Sequence, residues 1–191
     1  MNVLYLLRHS LTRANERRLY CGWTDLPLSA AGIRLAKVRA LEAPLPPFDL
    51  RVDSGLRRAK ETVFYLSNDN TDRSLSDLRE MNFGRFEMRG YEELRDDPDY
   101  KAWIMDETGH VACPGGESRA LFCARVLRGG GALLRIPGER VLAVCHGGVI
   151  VTLMKAWFPD EERGFYEWQP GPCRGYRVVL DEGNPISYEE V

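Results

Sequence analysis

The sequence predicts a three-layer α/β/α sandwich built around a mostly parallel central sheet. Two apolar runs of strand length, Val3–Leu7 and Val141–Cys145, read as strands buried on both faces. Segments with apolar residues at helical spacing lie between and after them. The two kinds of segment alternate along the chain, the pattern of βαβ units with parallel strands.

The first strand, Val3–Leu7, is followed by a polar loop carrying Arg13, Asn15, Glu16, Arg17 and Arg18. Ser29 then suits the N-cap of a helix bearing Ile33, Leu35, Ala36, Val38 and Leu41. Pro44-Leu45-Pro46-Pro47 reads as a loop within the domain. Phe48–Asp53 is a short second strand, and Ser54 starts a turn into a helix with Ala59, Val63 and Leu66. Leu75–Glu80 is an extended segment, and Tyr91–Asp106 forms one or two helices on a surface lobe. Gly116-Glu117-Ser118 leads into a helix over Arg119–Arg135. Its run Gly129-Gly130-Gly131 costs about 1 kcal/mol per glycine, which predicts a bend or an early stop. Val141–Cys145 is the strongest strand and passes through His146-Gly147-Gly148 into an apolar helix, Val149–Trp157. Arg177–Leu180 and Ile186–Tyr188 add edge strands. The expected organisation is one domain over 1–191, with a small helical lid or insert around 83–115.

Composition narrows the function. Of 191 residues, 44% are hydrophobic and 28% charged, enough to build a core and too apolar for disorder. The net charge of −2 carries no field that would attract nucleic acid. Five cysteines, with no C-x-x-C pair, form neither a disulfide framework nor a structural zinc site, and fit a reducing cytoplasm. The apolar run before Arg8 is too short for a signal sequence, and no stretch reaches the length of a bilayer span. No metal-binding or nucleotide-binding motif is present, so neither metal nor cofactor is expected. Asp96-Asp97-Pro98-Asp99 reads as a solvated acidic loop. The sequence leaves the oligomeric state open, a homodimer included.

The chemistry gathers at two of the three histidines. His9 and His146, 137 positions apart, each directly follow a predicted strand, whereas His110 lies in a loop. In an open α/β sheet, ligands bind beyond the carboxyl ends of the strands, so both imidazoles can meet in one crevice. Arg8 ends a strand with no other charge, and Arg58 opens a helix after another strand end. A guanidinium fork matches phosphate oxygens. Gly147 and Gly148 begin a helix whose free N–H groups favour an anion. A pocket for a phosphate dianion results.

These residues resemble the histidine phosphatase (phosphoglycerate mutase-like) superfamily. Leu7-Arg8-His9-Ser10-Leu11-Thr12-Arg13-Ala14-Asn15 is similar to its R-H-G-E-T-x-x-N signature. Leu28-Ser29-Ala30-Ala31-Gly32, Ser54-Gly55-Leu56-Arg57-Arg58-Ala59-Lys60-Glu61-Thr62, Glu80 with Gly84, Pro114-Gly115-Gly116-Glu117-Ser118 and Val144-Cys145-His146-Gly147-Gly148 follow in the family's order. The resemblance implies a phosphoglycerate mutase-like fold and a metal-independent hydrolysis through a phosphohistidine. His9 would be the nucleophile. Arg8, Arg58, His146 and Gly147 would bind the phosphoryl oxygens with help from Asn15. Glu80 would act as general acid and base.

Ser10 and Leu11 depart from the family pattern, which has glycine and glutamate there; Ser10 adds a side chain at a tight approach to phosphate. Only 33 residues separate Glu80 from the Pro114-Gly115-Gly116-Glu117 motif, which favours a phosphatase over a mutase. Glu80–Arg89 resembles the corresponding segment of α-ribazole phosphatases, which act late in assembling the cobalamin nucleotide loop. The implied partner is a small phosphorylated substrate, contacted by Cys21, Gly22, Trp23 and Phe83. Trp23, Phe83, Phe86, Tyr91 and Trp103 offer rings that could either stack on a benzimidazole or pack the lobe. The competing readings are a phosphatase for sugar phosphates or other small phosphoesters, a phosphoglycerate mutase, and a non-catalytic module that binds phospho-ligands.

Overall fold

The computed structural model describes residues 1–191. Strand β1 (Asn2–Arg8) leads through a one-turn helix α1 (Arg13–Glu16) to helix α2 (Ala30–Glu42). Strand β2 (Leu50–Asp53), helix α3 (Arg57–Ser67) and the two-residue strand β3 (Arg73–Ser74) follow. The lobe contributes helices α4 (Tyr91–Leu94) and α5 (Pro98–Ile104). Helix α6 (Arg119–Leu134), strand β4 (Arg140–Cys145) and helix α7 (Gly147–Trp157) complete the centre. A short helix α8 (Phe165–Trp168) and the strands β5 (Gly175–Asp181) and β6 (Asn184–Glu190) finish the chain.

The six strands form one sheet in the order β3-β2-β4-β1-β5-β6. The pairings from β3 through β1 are parallel, whereas β5 runs antiparallel to both β1 and β6. Alternate residues of the central strands point to opposite faces. Leu4, Leu6, Ala143 and Cys145 pack with Val126, Leu153 and Met154 of α6 and α7. Leu7, Leu142 and Val144 pack with Ala36, Ala59, Val63 and Leu66 of α2 and α3. Burial on both faces is why these strands are apolar without alternation.

Register then places the histidines. Arg8 pairs with Cys145 across β1 and β4, so the next residues, His9 and His146, leave adjacent strands at the same level. Asp53 pairs with Val144, which brings Ser54 to the same rim.

Several local expectations change. The segment after β1 is not all loop: Thr12 caps α1, its side chain accepting from the Asn15 N–H while the Asn15 side chain reaches back. The extended segment is displaced to Arg73–Ser74, and Ser76–Leu78 is a 3₁₀ turn. Of the two C-terminal strands only β6 is an edge, since β5 pairs with β1. Helix α6 runs unbroken through its three glycines. A Cβ on Gly129 would lie 2.9 Å from Asp77 Cβ, and one on Gly130 would overlap Leu153. Close packing against α7 and the 3₁₀ turn thus offsets the poor helix propensity.

Within residues 83–115, the rings of Phe86, Tyr100 and Trp103 are buried against one another and against Tyr20. Asp97 caps α5, and Arg85 pairs with both Asp97 and Asp99, so the acidic loop is only partly solvated. No helix is long and apolar enough to cross a membrane.

Candidate active site

The two imidazoles meet. Their centroids are 5.0 Å apart at 61°, and both residues are buried, His9 at 6% exposure and His146 at 0%. His9 Nδ1 lies 2.6 Å from the Ser10 carbonyl. A carbonyl only accepts, so Nδ1 carries the proton and Nε2 keeps a free lone pair. Burial, with the nearby Arg58 and Arg8 charges, holds the His9 pKa well below its ordinary 6.5, against the opposing pull of that carbonyl. The ring is therefore neutral at neutral pH.

His146 is fixed at both nitrogens. Arg58 Nη2 donates to Nδ1 at 3.3 Å, and Ser54 Oγ is 2.8 Å from Nε2. A guanidinium only donates, so Nδ1 accepts and carries no proton, and Nε2–H points to the Ser54 hydroxyl, which accepts. Burial lowers the His146 pKa well below 6.5, and the charges of Arg58 and Arg8 and the neighbouring His9 add to it.

The arginines are anchored to backbone carbonyls. Arg8 Nη1 donates to Pro170 O at 2.9 Å. Arg58, 1% exposed, donates from Nη1 to Thr24 O at 3.0 Å and from Nη2 to Gly22 O at 2.6 Å. Burial pulls both guanidiniums below their ordinary 12.5, and the Glu80 carboxylate pushes both back up. Both stay cationic.

Glu80 enters from the loop after the 3₁₀ turn. Its Oε1 accepts the Met81 N–H and its Oε2 the Gly148 N–H at the start of α7, each at 3.0 Å. A Cβ on Gly148 would stand 2.5 Å from Oε1, so glycine is what allows the carboxylate to approach the helix. Gly147 is buried beside it, its N–H without a protein acceptor.

Other expected residues sit differently. Asn15 is bound up in the cap: its Oδ1 accepts from the Thr12 N–H and hydroxyl, both at 2.9 Å, and no hydrogen bond joins it to the imidazoles. Ser10 turns its buried hydroxyl to the Gly32 carbonyl at 2.7 Å, and its backbone N–H donates to Thr62 Oγ1, so the residue ties the chain beyond β1 to α2 through its side chain and to α3 through its backbone. Cys21 Sγ contacts Thr24 O at 3.6 Å. Phe83 packs on Tyr20 and Trp103, within the aromatic cluster of the lobe. Trp23 is 41% exposed, with its indole N–H on the Glu80 carbonyl at 3.0 Å. Gly22 and Trp23 thus lie against both Arg58 and Glu80.

Sequence reasoning gave no role to Ser54 or Glu87. The Glu87 carboxylate accepts the N–H groups of Gly22, Trp23, Thr24 and Phe83 and the Thr24 hydroxyl, at 2.7–3.2 Å. It shapes the loop whose carbonyls hold Arg58. The only signal was its place in the Glu80–Arg89 segment.

A neutral imidazole with an open ring nitrogen, faced by a second imidazole and two guanidiniums, defines a phosphoryl-transfer enzyme. The chain belongs to the histidine phosphatase superfamily, branch 1, whose model matches residues 4–188, and it is a phosphatase. It is 35% identical over 159 residues to the adenosylcobalamin/alpha-ribazole phosphatase of Salmonella typhimurium, covering 79% of this chain and 77% of that one. It is 27% identical over 164 residues to a phosphoglycerate mutase of Schizosaccharomyces pombe, covering 80% and 78%. The crystal structure of the alpha-ribazole phosphatase from Shigella flexneri superposes with a TM-score of 0.85 at 28% identity, covering 96% of this chain and 93% of that one.

Proposed function

We propose that the chain hydrolyses α-ribazole 5′-phosphate through a phosphohistidine, as a cytoplasmic step in cobalamin nucleotide-loop assembly. The observation that carries the chemistry is the Ser10 carbonyl on His9 Nδ1, which leaves Nε2 as the nucleophile. Nε2 attacks phosphorus while the ester P–O bond breaks. Arg8, Arg58, His146 and the Gly147 N–H take the charge that spreads over the equatorial oxygens. Glu80 gives its proton to the leaving alkoxide. Glu80 then takes a proton from water, which attacks the phosphohistidine, frees inorganic phosphate and restores His9.

The substrate rests on the relatives named for α-ribazole phosphates, and the compartment on five free cysteines. Trp23 is the ring best placed to meet the leaving group, being exposed and joined to Glu80. Purified protein is assayed on α-ribazole 5′-phosphate, sugar phosphates and 3-phosphoglycerate. The expected result is the highest kcat/KM on α-ribazole 5′-phosphate, with acid-labile phosphate on His9. A higher kcat/KM on a sugar phosphate, or isomerisation of 3-phosphoglycerate, overturns the substrate. Absence of labelling and of turnover across the panel overturns the enzyme.

A further inference from the structure

Arg125, on α6, takes no part in the steps above, yet it holds the backbone on which the acid stands. Its Nη1 donates to the carbonyls of Asp77 at 3.0 Å and Arg79 at 2.9 Å, and its Nη2 to the carbonyl of Glu80 at 3.2 Å. Glu117 grips the other edge of the guanidinium, with Nε on Oε1 at 2.8 Å and Nη2 on Oε2 at 2.7 Å. The same Glu117 oxygen, Oε2, accepts the Asn82 N–H at 2.8 Å. One ion pair, with side chains 12% and 15% exposed, thus fixes backbone groups on both sides of Glu80.

This segment needs an outside support. After the 3₁₀ turn Ser76–Leu78 the chain joins neither helix nor sheet until Gly84, so no ladder of its own sets the position of residue 80. A carbonyl row without such a ladder must find other donors. Two of them, Arg79 and Glu80, find the guanidinium that also holds the Asp77 carbonyl inside the turn, and its planar fork delivers these N–H groups in a fixed geometry. The Glu80 carbonyl also accepts the Trp23 indole N–H, and the Arg125 guanidinium lies 5.9 Å from that ring. The clamp therefore joins the acid to the exposed ring beside it.

We propose that Arg125, locked by Glu117, is a positioning residue for proton transfer: it sets the Glu80 carboxyl at the distance from which it serves the leaving oxygen. The inference rests on the reading of Glu80 as general acid and base. A leaving group that departs as a stable anion needs no proton, whereas an alkoxide does. Misplacing Glu80 therefore slows phosphorylation of His9 by an alkyl phosphate and spares phosphorylation by an aryl phosphate. Release of phosphate from His9 slows with both, since water activation uses the same carboxylate.

The test compares p-nitrophenyl phosphate with ribose 5-phosphate in Arg125→Gln, Arg125→Lys and Glu117→Gln, alongside melting temperatures. The expected result is a kcat/KM that falls about tenfold more, or beyond, for the sugar ester than for the aryl ester, a fraction of what removing a general acid costs. The aryl ester still gives a burst of p-nitrophenolate. The lysine variant, which keeps the charge against Glu117 but not the fork, loses less than the glutamine variant and serves where the latter fails to fold. An equal fall on both esters, or a lower melting temperature with unchanged kinetics, overturns the inference. Glu80→Gln separates the two levels. If it discriminates between the esters and the clamp variants do not, only the clamp fails. If Glu80→Gln does not discriminate, the role of Glu80 fails with it.

Discussion

The molecule holds two clusters of ring side chains, and they are built in opposite ways. At the strand ends, His9 and His146 stand 5.0 Å apart with their ring nitrogens directed by a carbonyl, a hydroxyl and a guanidinium. In the lobe, Tyr20, Phe83, Phe86, Tyr100 and Trp103 meet edge to face or tilted at 5.0–6.0 Å and bury one another. The first cluster spends its rings on polar geometry, the second on packing. Aromatic content near a site therefore says little about what the site binds until exposure is known; of the five rings offered by the sequence, Trp23 and Tyr91 stay open, and Trp23 is the one joined to Glu80.

The sharpest way to break this contrast is His9→Ala. Turnover should fall by about 10⁴-fold or more, as for loss of a nucleophile. The melting temperature should stay within a few degrees, because the imidazole is held by one carbonyl and supports no apolar core. A variant that unfolds, or one that still turns over, would put His9 on the packing side of the comparison. Trp103→Ala should do the reverse. It removes a ring at 9% exposure, so about 3–5 kcal/mol of stability is lost while kcat of the protein that remains folded is kept. Denaturant melts with active-site titration check this, and a collapse of kcat in folded protein would show the lobe to be part of the chemistry.

Glu87 joins the two regions, since it holds the 22–24 loop that in turn holds Arg58. Glu87→Gln keeps one acceptor oxygen and turns an NH₂ toward backbone donors. We expect a loss of about 1.5–3 kcal/mol, as for hydrogen bonds to a charged group, together with a raised KM. An unchanged KM in steady-state kinetics would mean that Arg58 keeps its place without the loop.

The most gradual effect is on pH. Both imidazoles have folded pKa values held below 6.5, by burial first and by neighbouring charge second. Above about 6.5 neither the folded nor the unfolded state takes up these protons. As pH falls below 6.5 the unfolded chain binds them and the folded one does not, so stability drops with falling pH, by up to about 1.4 kcal/mol per pH unit for each ring. Urea melts at pH 7.5, 6.5 and 5.5 measure the slope, and His9→Ala should halve it. A flat profile would mean that the rings protonate in place.

Much of the phosphate side was legible because its cause is local: an apolar run that ends in Arg8-His9, and another that ends in His146-Gly147, need only parallel pairing to meet. Register supplied the rest, through Arg8 opposite Cys145. What stayed hidden has distant causes. Gly129–Gly131 promised a break because propensity is read along the helix, whereas Asp77 and Leu153 close on it from outside. Asn15 matched a signature, yet its oxygen serves Thr12. Glu87 and Arg125 gave no signal of their own because most of their partners are backbone groups, which carry no letter in a sequence.

The stretch just before β5 lies across the carboxyl end of β1. Pro170 accepts from the Arg8 guanidinium, the Arg174 carbonyl accepts the Arg8 N–H, and the Cys173 N–H donates to the Arg8 carbonyl. The reacting groups all lie within residues 8–148, but Arg8 finds its brace and β1 its second border only in residues 170–181. Removal of that stretch should therefore leave the reacting groups in place along the chain and β1 as a bare edge strand, open to pairing with another molecule.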